Sequence, residues 1–179
     1  MPPSHTLDLD LLPATFDDVE LVADLETTRD PEDPRDPDLL RFWWTKSSIG
    51  GVAMRLVDVR GGAAVAFVSG RHHNWSSDSA RRFGWIRAML HRDVWSEPGY
   101  AHLIATAEDW LRSEQADAGA VQVGEEFTNE LDVLARLDYR EVRARRTRSS
   151  TWWPGATTCW RNPRGSARRC RTRASACLS

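Results

Sequence analysis

Cysteine is missing from the first 158 residues of this 179-residue chain; Cys159, Cys170 and Cys177 all lie beyond them. No disulfide framework and no cysteine-based zinc site can therefore organise the body of the protein. Long apolar runs are missing too, since no stretch approaches the roughly 18 residues that a membrane-spanning helix needs. The N-terminus, Met-Pro-Pro-Ser-His-Thr-Leu-Asp-Leu-Asp, lacks the basic-then-apolar layout of a signal peptide, so a cytoplasmic protein is expected. Lysine is nearly absent, with Lys46 alone among 24 basic side chains, and there is no acid after Glu141.

The last absence divides the chain. Its formal charge is −2, but residues 143–179 carry ten arginines and no acid, which leaves 14 basic and 26 acidic side chains on residues 1–142. The expected organisation is one acidic domain over 1–142 and a poorly ordered basic tail over 143–179. A body of 142 residues is long enough to bury one core unaided. Its acidity argues against a nucleic-acid grip on its own surface.

Hydrophobic periodicity gives the elements. Leu7, Leu9 and Leu11 alternate with Asp8 and Asp10 as a strand that Pro13 ends. Thr15 and Asp18 start a helix carrying Phe16, Val19, Val22 and Leu25. The Pro/Asp-rich run 30–37 is a connection, followed by a short helix over 39–44. Val52–Val59 and Ala63–Val68, joined by Arg60-Gly61-Gly62, form a hairpin. The polar stretch 69–82 reads as loop, and Gly84–Val94 as a strand with Ile86, Ala88, Leu90 and Val94 on one face. Leu103, Ile104, Ala107, Trp110 and Leu111 make a helical stripe, Ala120–Val123 a short strand. Thr128 or Asn129 caps a helix carrying Leu131, Leu134 and Leu137, and Tyr139–Val142 begins another strand. The order β-α-α-β-β-β-α-β-α-β predicts an α/β mixed sheet with helices on both faces.

Chemistry is most legible where the strand at 84–94 meets the following helix. A turn at Ser96-Glu97-Pro98-Gly99-Tyr100-Ala101 would aim backbone N–H groups outward, and small residues at 99 and 101 would let an anion approach the main chain. A glycine turn that merely starts a core helix accounts for the same residues.

The order of elements together with these short matches resembles the GCN5-related N-acetyltransferase (GNAT) family over roughly residues 6–142. Its acyl-CoA motif, Gln/Arg-x-x-Gly-x-Gly/Ala, maps onto Ser96–Ala101, matching at the two small residues and departing at Ser96. Glu108-Asp109-Trp110-Leu111 is similar to the "AEEWL" run of that family's third helix. Leu137-Asp138-Tyr139-Arg140-Glu141-Val142 resembles its closing "LGFREV", with Asp138 in place of Gly.

The resemblance implies an acyl-CoA-dependent N-acyltransferase with acetyl-CoA as co-substrate and an amine as acceptor. Leu90, His91 and Arg92 would pair with the pantetheine arm. Ser96, Glu97, Pro98, Gly99, Tyr100 and Ala101 would hold the pyrophosphate, and Asn129 would reach the cofactor from the next helix. The departures remove one cation and add Glu97 beside the phosphates. The tyrosine that often acts as acid aligns with Leu134, so no acid is carried over.

His91, Glu125 and Glu126 are the candidate bases, each with an ordinary structural alternative. Trp43, Trp44, Trp75 and Trp85 are candidates for an acceptor pocket or for core. His72-His73 lacks a third ligand at sensible spacing, so no metal is expected. The alternatives to an enzyme are a non-catalytic or inactive GNAT-like module and an interaction protein with a nucleic-acid-binding tail.

The family's final strand falls in the tail, which has no acid, few aliphatics and no sustained periodicity; only Thr151-Trp152-Trp153 is strand-like. That strand is expected to be lost or poorly formed. The tail reads as a basic arm, as a metal or redox element whose cysteine spacings fit no usual zinc pattern, or as residues translated out of an ancestral frame. An empty slot would leave sheet edges open, so a homodimer is a physical expectation.

Overall fold

In the computed structural model, residues 8–73, 82–142 and 156–161 are described. The chain enters through a capping box. Thr15 N–H donates to Asp18 Oδ2 at 2.7 Å, a 3-10 turn covers Phe16–Asp18, and helix α1 runs over Val19–Arg29. Asp36 caps α2 (Pro37–Gly50), its carboxylate accepting from Asp38 N–H at 2.8 Å. Pro37 thus opens the helix instead of closing the connection, and α2 is longer than its apolar centre suggests. Strands β2 (Gly51–Arg60) and β3 (Ala63–His73) form the expected hairpin. Gly61 and Gly62 have φ of 58° and 82°, which side-chain-free residues adopt without strain and which suit the twist of the flanking strands.

The remaining elements are β4 (Phe83–Leu90), a 3-10 turn (Arg92–Val94), α3 (Glu97–Ser113), β5 (Ala118–Gly124), α4 (Thr128–Arg136), β6 (Arg140–Val142) and β7 (Ala156–Arg161). Strand β1 is only Leu12–Pro13. Several boundaries differ from the sequence reading for identifiable reasons. Pro13 lies inside the first strand, which is tolerable because β1 is the sheet's edge. Residues 8–11 are held by side chains instead of a ladder: Asp10 N–H donates to Asp58 Oδ2, and Arg60 donates to the Asp8 carbonyl. Strand β3 continues through the polar run 69–73 that reads as loop. Strand β4 stops at Leu90 because the His91 ring accepts from Asp93 N–H and caps the 3-10 turn. Neither Thr128 nor Asn129 caps α4; Phe127 is its cap, with no side-chain bond.

The sheet order is β1-β2-β3-β4-β5-β7-β6, with every pair antiparallel except β4–β5. This corrects the expectation that the final strand is lost or poorly formed. Ala156–Arg161 lies between β5 and β6, with Val121 opposite Cys159 and Glu141 opposite Cys159 from the other side. Those six tail residues belong to the same sheet as the body, and the slot whose vacancy motivated a homodimer is filled. Thr151-Trp152-Trp153 and Trp75 lie outside the described residues.

One face of the sheet carries α3 and α4, where Tyr100, Leu103, Ile104, Ala107, Leu111, Val133 and Leu134 pack on Ala66, Val68, Ile86, Ala88, Leu90, Val121 and Val123. The other carries α1 and α2, where Val19, Val22, Leu25, Leu40 and Trp44 pack on Val57, Phe67 and Met89. Each buried aliphatic side chain contributes about 1.5–3 kcal/mol relative to exposure. Among the described residues no helix is long and apolar enough to cross a membrane.

Candidate functional site

Strands β4 and β5 begin side by side and then part. Their ladder runs from Phe83↔Ala118 to Ile86↔Val121, whereas β4 continues to Leu90 and β5 to Gly124. Beyond the last pair, the facing edges of Arg87–Leu90 and Gln122–Gly124 do not bond one another, which opens a wedge within the sheet. Arg87 and Gln122, the first residue of each strand past that pair, both line a cavity of about 440 Å³ on the α1/α2 face.

The cavity floor is the alternate residues of three adjacent strands. Register places Ala53, Arg71 and Trp85 in one row and Arg55, Ser69 and Arg87 in the next. Helix α2 supplies Leu39, Leu40, Trp43 and Trp44, and the α1–α2 connection supplies Arg35. The Trp44 ring stacks on Phe67 at 5.8 Å, and the Arg55 guanidinium sits 4.8 Å over Trp44 while donating to its carbonyl at 3.2 Å. Behind the wall Glu26, 6 % exposed, takes one hydrogen bond from Arg35 Nε and one from Arg87 Nη2, both at 2.7 Å to Oε2. Burial lowers the pKa of Arg87, Glu26 opposing and Arg35 and Arg29 adding to the fall. Burial and then Arg71 lower that of Arg55, and burial lowers that of Arg71.

The expected phosphate turn is the first turn of α3, and two of its donors are already engaged. Ser96 Oγ accepts from Gly99 N–H at 3.2 Å, the Ser96 carbonyl accepts from Tyr100 N–H at 2.9 Å, and Pro98 has no N–H. Glu97 pairs with Arg136 of α4 at 2.8 Å. Gly99 and Tyr100 are buried, and Ala101 is half-buried. Leu90 is buried against α3, so only its backbone faces the wedge. His91 N–H returns to the Val65 carbonyl at 2.8 Å, and Arg92 is exposed. Asn129 is exposed at the start of α4, an element tied to α1 by the Arg29–Glu130 ion pair at 2.8 Å.

None of the three candidate bases lines the cavity. The His91 Nδ1 is engaged by Asp93 N–H at 3.2 Å; Glu125 and Glu126 are exposed in the turn after β5. The chain's two tyrosines lie on the opposite face, Tyr100 in the core and Tyr139 donating to Glu108 Oε1 at 2.7 Å. Leu134 is fully buried in that core. Among the described residues no group of three histidine, cysteine or acidic side chains is placed to hold a metal.

Trp43, Trp44 and Trp85 do line the cavity, as an acceptor pocket would require. Sequence reasoning missed Arg35, Arg55, Arg71 and Arg87. The signal was present, because Arg55 and Arg87 each interrupt an otherwise apolar strand run at the parity of a covered face.

No family model matches the sequence, and no curated protein matches it. The fold, in contrast, matches many solved structures. An acetyltransferase from Salmonella typhimurium solved with acetyl-CoA has a TM-score of 0.60 at 13 % identity, covering 88 % of this chain and 95 % of that one. The GNAT domain of an S. lividans protein gives 0.62 at 14 %, covering 85 % and 89 %. A phosphinothricin N-acetyltransferase gives 0.63 at 12 %, covering 84 % and 94 %. With its parted β4 and β5 and its last strand inserted between the two before it, the chain has the fold of the GCN5-related N-acetyltransferases.

Proposed function

We propose that the chain is an acyl-CoA-dependent N-acyltransferase that moves an acetyl group onto a primary amine. The observation that carries this reading is the junction of the wedge with the cavity at Arg87 and Gln122, which brings a slot for an extended chain and a room for an acceptor into contact. Solved structures of the same fold hold acetyl-CoA or CoA, which supports acetyl-CoA as co-substrate.

The residues fit that group well at the wedge and sparingly at the turn. Open strand edges at 87–90 and 122–124 offer backbone donors and acceptors to a pantetheine arm. At Ser96–Ala101 the amides of Gly99 and Tyr100 are already bonded, so a diphosphate would have to displace the Ser96 hydroxyl and compete with Glu97 for Arg136. Affinity should therefore be weaker than a full motif gives. Asn129, exposed on the first turn of α4, is the proposed side-chain contact from that helix.

The chemistry supplied on binding is that of an acyl thioester: an acceptor amine gains the acetyl group and loses a proton as the thiol departs. The chain's own contribution is to orient the amine and exclude water, which can lower the barrier substantially without a strong acid or base. For the proton, Glu125 and Glu126 stand just after β5, three and four residues beyond the wall residue Gln122. They are better placed than His91, whose Nδ1 already accepts a hydrogen bond.

Because the cavity wall holds no proton acceptor among the described residues, a GNAT-like module that binds without catalysing is the second reading. Thermal shift with acetyl-CoA tests both, since a ligand at 100 times its Kd adds about 2.7 kcal/mol. No stabilisation at millimolar acetyl-CoA overturns the proposal. Thiol release with a panel of amines separates the enzyme from the module.

A further inference from the structure

Among the described residues four arginines and no acid line the cavity, although over residues 1–142 acidic side chains outnumber basic ones by 26 to 14. Glu26, outside the wall, offsets one charge between Arg35 and Arg87, and Asp33 lies 3.8 Å from Arg35 at the surface. Arg71 has no carboxylate partner among the described residues, and burial lowers its pKa. It shares a sheet face with Arg55 and Arg87, one row and one strand away, where diagonal neighbours lie about 7–8 Å apart, within reach of long side chains. Trp43, Trp44 and Trp85 wall the same space with apolar surface, which strengthens every charge interaction inside it.

Such a wall repels an ammonium ion that brings no anion with it, and it matches the forked geometry of an oxyanion. We propose that the cavity selects its occupant by an oxyanion group, so that the acceptor is a small amine also bearing a carboxylate or a phosphoryl group, held by Arg55, Arg71 and Arg87. Polyamines and the lysine side chains of basic peptides are excluded by the same charge. A volume of about 440 Å³ lies within the usual range for one small molecule. The anion site follows from the cavity alone; calling its ligand an acceptor rests on the acyltransferase reading.

Two measurements keep those layers apart. The first follows the tryptophan fluorescence of the full chain while an amine-free dicarboxylate or inorganic phosphate is titrated, with chloride at equal ionic strength as control. Saturable binding that Arg71→Gln weakens by about tenfold or more, and that Arg112→Gln on exposed α3 does not, is the expected result. An equal response to chloride, or binding indifferent to Arg71→Gln in a variant whose circular dichroism is unchanged, overturns the proposal. The second compares thiol release from acetyl-CoA for matched amines with and without a carboxylate, and with a phosphoryl group in its place. A kcat/KM at least tenfold higher for the anionic member is expected, and its size relative to the phosphoryl partner identifies which oxyanion is preferred. Faster transfer to the uncharged amine or to a polyamine overturns the proposal while leaving the acyltransferase reading intact. Anion binding without thiol release for any amine refutes that reading and leaves the anion site standing.

Discussion

Replacing Glu26 with alanine should destabilise the protein more than any exposed charge change, and the structure sets the size. One buried oxygen, Oε2, receives Arg35 Nε and Arg87 Nη2 at 2.7 Å each, with the carboxylate 5 % exposed and the two arginines 14 % and 32 % exposed. Truncating one member of a buried ion pair costs about 3–5 kcal/mol, because the partner charge is stranded. Here two guanidiniums lose their shared oxygen, but Asp33 stays 3.8 Å from Arg35 and water reaches Arg87, which relieves part of the penalty. The expectation is therefore the lower end, about 3 kcal/mol. For a chain of this length that is a fall in Tm of roughly 6–12 °C. Glu26→Gln keeps an acceptor oxygen while losing the charge, and should fall between the variant and the parent. Urea midpoints at constant m-value are the appropriate assay, and the double variant Glu26→Ala/Arg87→Ala should lose less than the sum of the singles. A loss below about 1 kcal/mol for Glu26→Ala would refute the argument that this carboxylate holds the cavity's back wall.

Arg71 makes the opposite prediction. Burial lowers its pKa, so the folded state disfavours its charge; that deficit exists at every pH where the side chain is protonated and is recovered only as pH rises through the lowered value. Arg71→Met should therefore leave Tm unchanged or raise it, and a drop beyond about 2–4 °C would show that the side chain supports the fold. Gly70 in β3 faces α3, where a Cβ would overlap the Trp110 ring. Gly70→Ala should cost about 1–3 kcal/mol by denaturation, and Trp110→Leu should recover part of it. Thiol release should rise with pH up to the acceptor amine's own pKa, because only the neutral amine attacks the thioester. His91→Gln should leave that profile in place; an additional limb of the profile that disappears in this variant would reinstate His91 as the base.

Much of the fold was legible because its signals are local. Thr15 and Asp18 announce a helix start through their own side chains, Gly61-Gly62 dictates a two-residue turn, and the stripe from Leu103 to Leu111 has one reading. The stretch 69–73 was misread because Ser, Arg and His are polar, yet Gly70 and His72 face α3 while Arg71 faces the cavity. Only the neighbouring strands reveal that alternation. The final strand was invisible for a related reason. Its position between β5 and β6 is set by long-range pairing, and no apolar alternation in Ala-Thr-Thr-Cys-Trp-Arg marks it from within. At the site, the tryptophans drew notice as large apolar residues. The arginines did not: Arg55 and Arg87 each break an apolar run, but only register shows that they share one face with Arg71.

The insertion of β7 also has a meaning for how the protein is made. Strands β5 and β6 leave the ribosome well before residues 156–161, yet they do not pair with each other and meet only through the strand that follows both. Until that late segment arrives, β5 presents an unsatisfied edge and the three residues of β6 have no neighbour to fix them. The half of the sheet from β1 to β4 can assemble first, whereas the half that forms one wall of the wedge waits until residues 156–161 have been made. A nascent chain held short of Arg161 should thus be the species most exposed to chaperones and proteases.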